Sequence, residues 1–298
     1  MWFASRQRTR TSRPTPAAGT EYRPATAPVR LRLEALDDRL VPAQVSLTVS
    51  TLADAGAGSL RAAVLTADAG KHSDKFTIDI AVSGTIDLQS PLPHLTHAIA
   101  VQGPGANRLT VERAAGASFD EAIVYVEFGQ TASLSGLTIA NGDHGGILND
   151  GGTLTVSGCT ISGNSAYVPG SFFGSGGGIF NNGTLTLTGS AVTGNTAYAG
   201  GGIENEGTLT VRGSILSGNT AQLGGGGIYN VGTATVRGSS LSGNTAGSEG
   251  GGIYNAASGK LSIKGSSLTG NAAPTGRDLY NAGHVKTSGS VIGDRSDA

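Results

Sequence analysis

The strongest constraint on this chain is a repeat of about 25 residues that runs through its second half. Each copy contains a glycine cluster, an Ile-x-Asn or Leu-x-Asn motif, a short alternating segment such as Leu-Thr-Val, and a turn of the Gly-Asn type. The first asparagines recur at steps of 32, 24, 25, 25 and 26 residues: Asn149, Asn181, Asn205, Asn230, Asn255 and Asn281. A fixed period in this range predicts a stacked array, because no single repeat can bury its own apolar face.

The pattern inside each repeat predicts strands rather than helices. Residues 154–156 and 209–211 alternate apolar with polar side chains, which is the two-residue period of a strand with one buried face. Glycine is too frequent in the repeats for stable helices. Three short strands per repeat, separated by turns about every eight residues, predict a parallel β-helix whose coils rise roughly 4.8 Å per turn.

Stacking of the coils turns each column of the aligned repeats into a ladder of equivalent side chains. Three apolar columns are predicted to fill the core: Ile147, Ile179, Ile203, Ile228, Ile253 and Leu279; Val156, Leu187, Val211, Val236 and Ile263; and Ile161, Val192, Leu216, Leu241 and Leu268. The asparagines are expected at turns, with their amides bonded to the coils above and below. Gly177, Gly201, Gly226 and Gly251 are expected to supply either positive φ or room for close contact between coils.

Composition and charge exclude several classes of protein. Glycine accounts for 49 of 298 residues, but without the three-residue period of collagen. A net charge of −1 argues against a nucleic-acid partner, since nucleic-acid-binding domains usually carry a basic surplus. No run of 18 apolar residues is present, so no transmembrane segment is predicted. Cys159 is the single cysteine and occupies a column otherwise filled by serine, which indicates a passive small residue.

Three regions are predicted along the chain. Residues 1–44 hold eight arginines and several prolines, the profile of a disordered leader or targeting segment. Residues 45–75 are predicted to form an N-terminal cap, with a first strand and a helix that begins after Ser59. Residues 76–298 are predicted to form the β-helix, with regular repeats from about residue 145 and about nine coils in all.

Several motifs in a fixed order resemble a known family. They are Ser-Thr-Leu-Ala-Asp at 50–54, Gly-Ser-Leu-Arg-Ala-Ala-Val at 58–64, Gly-Pro-Gly-Ala-Asn at 103–107, and the Gly-Gly-Gly-Ile-x-Asn repeats. Over residues 45–298 the chain is similar to bacterial right-handed β-helix proteins of the pectate-lyase-like superfamily, with repeats of the polymorphic-outer-membrane-protein and choice-of-anchor type. The resemblance implies an all-β, single-stranded right-handed parallel β-helix. It implies little about activity, because one solenoid hosts lyases, hydrolases, adhesins and passenger domains.

The end of the leader carries a second resemblance. Residues 33–42 are similar to a motif found at the start of many large bacterial surface or secreted proteins. This resemblance implies an extracellular or cell-surface location.

Catalysis is one hypothesis for the regular coils. Polysaccharide lyases of this shape need carboxylates that bind Ca²⁺ and a basic residue, whereas hydrolases need two acids held roughly 5–10 Å apart. Asp150 and Glu206 share a column two coils apart, and Glu204 lies near Glu206. Scattered carboxylates on a solenoid are more often solvated surface, so this remains the alternative hypothesis. Outside it, no metal or cofactor is expected, and His94 and His97 are interpreted as a surface pair.

Two further columns indicate a binding surface. Arg212, Arg237 and Lys264 occupy equivalent positions in successive coils, as do Tyr229, Tyr254 and Tyr280. Stacked aromatics beside a cationic stripe would suit an acidic polysaccharide, with rings on sugar faces and basic groups on carboxylates. The structural interpretation is that stacked tyrosines stabilise neighbouring coils while the cations stay solvated. We therefore expect a noncatalytic exported or cell-surface β-helix with an adhesive, structural or glycan-contacting role.

Overall fold

A computed structural model describes residues 43–166 and 174–298 of the chain. Residues 1–42, most of the predicted leader, lie outside the described part. The described residues form an all-β parallel solenoid of about 8 turns with 4% helix, which confirms the predicted fold class. The expected nine coils and the observed turns differ by incomplete coils at the N-terminal end, where strands of the first two long sheets precede the first strand of the third.

Four parallel sheets run along the solenoid, and from Ala98–Gln102 onward each coil adds one strand to each of the three long ones. Sheet A comprises Gln44–Val49, Lys75–Ile80, Ala98–Gln102, Thr131–Ser135, Thr153–Ser157, Thr184–Thr188, Thr208–Arg212, Thr233–Arg237, Lys260–Lys264 and His284–Ser288. Sheet B comprises Gly84–Leu88, Leu109–Arg113, Thr138–Ala140, Thr160–Ser162, Ala191–Thr193, Ile215–Ser217, Ser240–Ser242, Ser267–Leu268 and Val291–Ile292. Sheet C comprises Val124–Val126, Ile147–Asn149, Ile179–Asn181, Ile203–Asn205, Ile228–Asn230, Ile253–Asn255, Leu279–Asn281 and Arg295–Asp297. Sheet D comprises Thr196–Ala197, Thr220–Ala221 and Thr245–Ala246.

The N-terminal end of the solenoid is closed by a strand and a helix, as predicted. Gln44–Val49 forms the edge of sheet A and pairs with Lys75–Ile80. The helix Leu60–Asp68 begins after Ser59, whose hydroxyl accepts a hydrogen bond from the Ala62 amide at 3.2 Å. Its buried side chains, among them Leu60 and Val64, belong to the same core cluster as the coils. The helix therefore covers apolar surface that an open solenoid end would expose.

The three predicted apolar columns form the core of the regular coils. Every member is at most 1% exposed, and the register pairs equivalent residues directly, as in Ile203 with Ile228 and Val211 with Val236. The alternating partners of these residues point outward. Each coil thus contributes these three apolar side chains and a second inward residue of its sheet A strand, such as Leu209, to one narrow interior. Removing any of the large ones would leave a cavity in a packed core.

Two ladders of buried asparagines run parallel to the apolar columns. In the first, each Nδ2 donates to the Oδ1 of the next coil at 2.7–2.8 Å, from Asn149 through Asn281. In the second, the equivalent bonds run from Asn164 to Asn271 at 2.8–3.0 Å. The predicted bonding between coils is confirmed. The amides are almost fully buried, and the residues of the first ladder occupy strand ends.

Both ladders donate in one direction, so their ends differ chemically. At the C-terminal end the last amides donate to carboxylates: Asn271 to Asp278 at 2.8 Å and Asn281 to Asp297 at 3.1 Å. A carboxylate only accepts, so it ends the chain of donors without leaving an N–H group unpaired. At the other end Val126 stands opposite Asn149, and the buried Oδ1 of Asn149 has no donor.

The two roles expected of the glycine clusters, positive φ and close contact between coils, belong to different glycines. Gly176, Gly200, Gly225 and Gly250 adopt positive φ. The glycines that follow them, such as Gly226, do not; a Cβ there would lie 2.5 Å from the carbonyl oxygens of Gly251 and Thr245. Close contact between coils is therefore the reason for glycine at Gly226 and its equivalents.

Candidate functional site

The two predicted binding columns lie on different sheets. Arg212, Arg237 and Lys264 are paired in register at the last position of sheet A strands, and all three are exposed. Tyr229 and Tyr254 occupy the outward middle position of sheet C strands and are half-buried. The cations and the aromatic rings consequently belong to separate sheets of the solenoid, joined within each coil by a turn.

The tyrosines stack on one another. The ring centroids of Tyr229 and Tyr254 are 4.7 Å apart with planes at 5°, and those of Tyr254 and Tyr280 are 5.2 Å apart at 12°. Burial, reinforced by Tyr254 and Glu204, raises the pKa of Tyr229 to about 12. Because the facing surfaces of adjacent rings are in contact, the middle of the column offers mainly ring edges and hydroxyls to a ligand. This geometry fits the structural interpretation of the tyrosine column.

The outward face of sheet A is basic over its C-terminal coils. Besides the predicted column, Lys260 and Lys286 project from outward positions of this face. Over the five strands from Thr184–Thr188 to His284–Ser288 the face contains no aspartate or glutamate. Threonine and serine fill most of the remaining outward positions. We call this surface, with the cations Arg212, Arg237, Lys260, Lys264 and Lys286, the basic face.

The cations of the basic face are not neutralised by the chain. Within the described residues, no carboxylate lies within 4.0 Å of any of the five groups. By contrast, Arg61 contacts Asp54 at 2.6 Å, and Arg113 lies 3.5 Å from Asp143. Like charges in successive coils stand roughly 4.8 Å apart, which costs roughly 1 kcal/mol per pair in a water-like dielectric. An anionic ligand would relieve this repulsion.

The sequence prediction did not include Lys260 and Lys286, because it rested on one column of each strand. Both residues lie at alternate positions from inward apolar residues, Lys260 beside Leu261 and Lys286 beside Val285. Applying the two-residue period across the whole strand, rather than to a single column, would have placed them on the same face as Lys264.

The three candidate catalytic acids differ in exposure and in hydrogen-bond partners. Glu204 is only 6% exposed, and its Oε2 has no hydrogen-bond partner. Burial raises the pKa of Glu204 to about 7, against a lowering by the Ser175 hydroxyl and with a further rise from Glu206. Glu206 is exposed in the turn after the strand. Asp150 instead accepts a hydrogen bond from the Tyr125 hydroxyl at 3.0 Å.

An ion cluster that the sequence did not reveal lies at His94. Its Nε2 is 2.7 Å from Glu121 and its Nδ1 is 2.7 Å from Glu127, while its ring stacks on Tyr125 at 4.0 Å. Burial lowers the pKa of His94, but hydrogen bonds and attraction from the two carboxylates outweigh it and raise the pKa overall. Two carboxylate acceptors on one ring require the imidazolium, so the cluster is an ion triad of one cation and two anions.

His97 differs from its predicted environment. The sequence placed it with His94 in a surface pair, but it is only 7% exposed. Its Nδ1 lies 2.9 Å from the Thr96 hydroxyl, and its ring meets Phe76 edge to face. The surface interpretation was wrong for His97 because Ala98–Gln102, which follows it, is a central strand of sheet A.

The described residues carry neither a metal-binding arrangement nor a membrane-crossing helix. No three His, Cys, Asp or Glu side chains of this part of the chain come together as metal ligands. No helix within it has the length and apolar character needed to cross a bilayer.

Comparison with known proteins agrees with the geometry of the coils. The family model described as "Right handed beta helix region" matches residues 97–292, about two thirds of the chain. A search of the curated proteins finds no match.

Proposed function

The chain belongs to the family of right-handed β-helix proteins, and from this premise we propose that it is a noncatalytic exported or cell-surface protein whose basic face binds an acidic polysaccharide. The observation that carries the proposal is the set of five cations on sheet A with no carboxylate among them, in a chain whose net charge is −1. The basic face is thus a local region of positive potential on a chain that is nearly neutral as a whole.

The surroundings of the cations suit a sugar polymer. The basic face also presents the hydroxyls of Thr208, Thr210, Thr233, Thr235 and Ser262, which can bond sugar hydroxyls while the cations pair with carboxylates or sulfates. Behind these residues lie inward side chains at most 3% exposed. A rigid backing of this kind reduces the ordering cost of binding a polymer.

The finer family assignment is part of the proposal. The motifs at 50–54, 58–64 and 103–107, together with the Gly-Gly-Gly-Ile-x-Asn repeats, support membership of the pectate-lyase-like superfamily with polymorphic-outer-membrane-protein or choice-of-anchor type repeats. The motif at 33–42 supports export from a bacterial cell. An adhesive or structural role outside the cell agrees with a solenoid whose repeated residues serve mainly to stack one coil on the next.

The lyase or hydrolase alternative has less support. A general acid must reach the glycosidic oxygen, yet Glu204 is nine-tenths buried. Asp150 is held by Tyr125. These environments support a binding role over turnover.

Removing two cations from the basic face should weaken retention on an acidic polysaccharide. We expect Arg212→Gln combined with Arg237→Gln to raise the Kd for a polyuronate about tenfold at low salt, since each lost contact is worth about 0.7 kcal/mol. Retention on an immobilised polyuronate column, with a neutral glucan column beside it, measures the effect. Wild-type retention should also fall at 1 M salt, where the Debye length is about 3 Å.

A matched variant removes the same charge elsewhere. Lys71 and Arg108 are exposed and lie outside the basic face, so Lys71→Gln with Arg108→Gln should leave retention within about twofold of wild type. Equal loss in both double variants would contradict a located site. The eluted polysaccharide should keep its length with and without Ca²⁺; new reducing ends or unsaturated products would contradict the noncatalytic role.

A further inference from the structure

We infer that the C-terminal end of sheet A contains a separate subsite for a tetrahedral oxyanion ester, a sulfate or phosphate group carried on a saccharide. This inference rests on the proposed function and refines its ligand class. The subsite is a shallow hollow of about 400 Å³, and its polar lining comprises Thr233, Thr235, Lys260, Ser262, His284 and Lys286.

The register explains why these side chains meet. Three successive strands each provide two outward residues: Thr233 and Thr235, then Lys260 and Ser262, then His284 and Lys286. Lys260 stands opposite His284, and Ser262 stands opposite Lys286. Neighbouring strands are roughly 4.8 Å apart and alternate residues roughly 6.7 Å apart, so the six groups lie together in one patch of roughly 10 Å by 7 Å.

The donors in the hollow favour a tetrahedral anion over a planar carboxylate. Lys260 and Lys286 provide ammonium groups, and His284 provides a ring N–H, from two adjacent strands of the array. A sulfate or phosphate ester presents three free oxygens that can meet three donors at once, whereas a carboxylate has two in one plane. The hydroxyls of Thr235 and Ser262 add donors between them.

The charge of the hollow is unopposed. Neither lysine lies within 4.0 Å of a carboxylate of the described residues, and no acidic residue is among those that line the hollow. The hollow is also distinct from the column of Arg212, Arg237 and Lys264, which occupies the other end of the same strands. A sugar polymer could therefore contact the column by its carboxylates and the hollow by an ester.

Calorimetric titration with three oligosaccharides of equal length tests the subsite. One carries sulfate esters, one phosphate esters and one only carboxylates. We expect the sulfated or the phosphorylated probe to bind wild type at least fivefold more tightly than the carboxylated probe. The tighter of these two identifies the source of the ester. Inorganic sulfate or phosphate should compete with the corresponding probe.

Substitutions in the hollow and in the column of Arg212, Arg237 and Lys264 distinguish their contributions to binding. Lys286→Gln should weaken the preferred ester probe about tenfold but the carboxylated probe only about threefold, the loss expected from one cation of the basic face, and His284→Gln should act in the same direction. Arg237→Gln, the control, should weaken all three probes equally. Thermal melts of these exposed-site variants should match wild type and so exclude misfolding.

The outcomes distinguish this inference from the proposed function. Equal affinity for all three probes, or equal effects of Lys286→Gln on each, would overturn the subsite while leaving the acidic-polysaccharide function intact. Failure of every probe to bind wild type would overturn both.

Discussion

Replacing Asn219 by alanine should destabilise the protein by about 4 kcal/mol. Asn219 Oδ1 accepts bonds from the backbone N and the Nδ2 of Asn195 at 3.1 and 2.9 Å, and its Nδ2 donates to Val192 O and to Asn244 Oδ1, both at 2.9 Å. Alanine would leave two buried N–H donors of Asn195 without an acceptor, at about 2 kcal/mol each. Urea unfolding followed by circular dichroism measures the change.

A nearby substitution provides the control. Ser217 lies on the same coil, is only half-buried and faces outward, so Ser217→Ala should change the free energy of unfolding by no more than about 0.5 kcal/mol. A loss below about 1 kcal/mol for Asn219→Ala would show that the asparagine ladder adds little beyond the apolar columns.

Replacing Glu204 by glutamine should stabilise the protein by about 3 kcal/mol at pH 8. Burial raises the pKa of this carboxyl from 4.5 to about 7, and each pKa unit corresponds to 1.36 kcal/mol. Below pH 4.5 the carboxyl is protonated in both the folded and the unfolded chain, so its burial does not lower the free energy of unfolding. Between pH 4.5 and 7 the carboxyl stays protonated only in the folded chain, and the free energy of unfolding falls as the pH rises. Above pH 7 the carboxyl is ionised in both states, and the loss of stability is complete.

The expected result is therefore a difference that grows with pH. Urea unfolding of wild type and Glu204→Gln should give similar free energies near pH 4 and diverge up to about pH 7. Glu206→Gln makes the same chemical change at an exposed site two residues away and should alter stability by about 0.5 kcal/mol or less. A Glu204→Gln protein that is no more stable than wild type at pH 8 would contradict the buried, ionised state of Glu204.

The regular coils could be predicted almost completely from the sequence. In those coils a residue and its equivalent one repeat later are direct neighbours, so a column of isoleucines such as Ile203 and Ile228 is already a list of contacts. The same logic placed Arg212 beside Arg237 and Tyr229 beside Tyr254. In this fold the repeat period itself predicts which residues far apart in the sequence are in contact.

The sequence failed where contacts do not follow the period. His94 meets Glu121 and Glu127, which are 27 and 33 residues away in coils without the consensus repeat. The stacking of tyrosine rings also depends on side-chain orientation, which a column alignment does not contain. The hollow at Lys260 and Lys286 required two columns to be considered together, since neither column alone is basic throughout.

The ends of the asparagine ladders show why identical repeats cannot satisfy every hydrogen bond. Each amide accepts from one neighbour and donates to the other, so each end of a ladder needs a partner other than asparagine. Asp278 and Asp297 resolve the C-terminal ends by accepting only. At the opposite end of the first ladder the Oδ1 of Asn149 stays unpaired, where the consensus gives way to Val126.

Lysine footprinting tests the central claim, that the basic face of sheet A is the ligand surface, most directly. The chain has five lysines: Lys71, Lys75, Lys260, Lys264 and Lys286. Acetylation followed by mass spectrometry, with and without a saturating acidic polysaccharide, reports the protection of each. We expect Lys260, Lys264 and Lys286 to be protected at least threefold, with Lys71 and Lys75 unchanged, although Lys75 lies on the same sheet at its other end. Protection of Lys71 and Lys75 alone, or equal protection of all five lysines, would contradict the account.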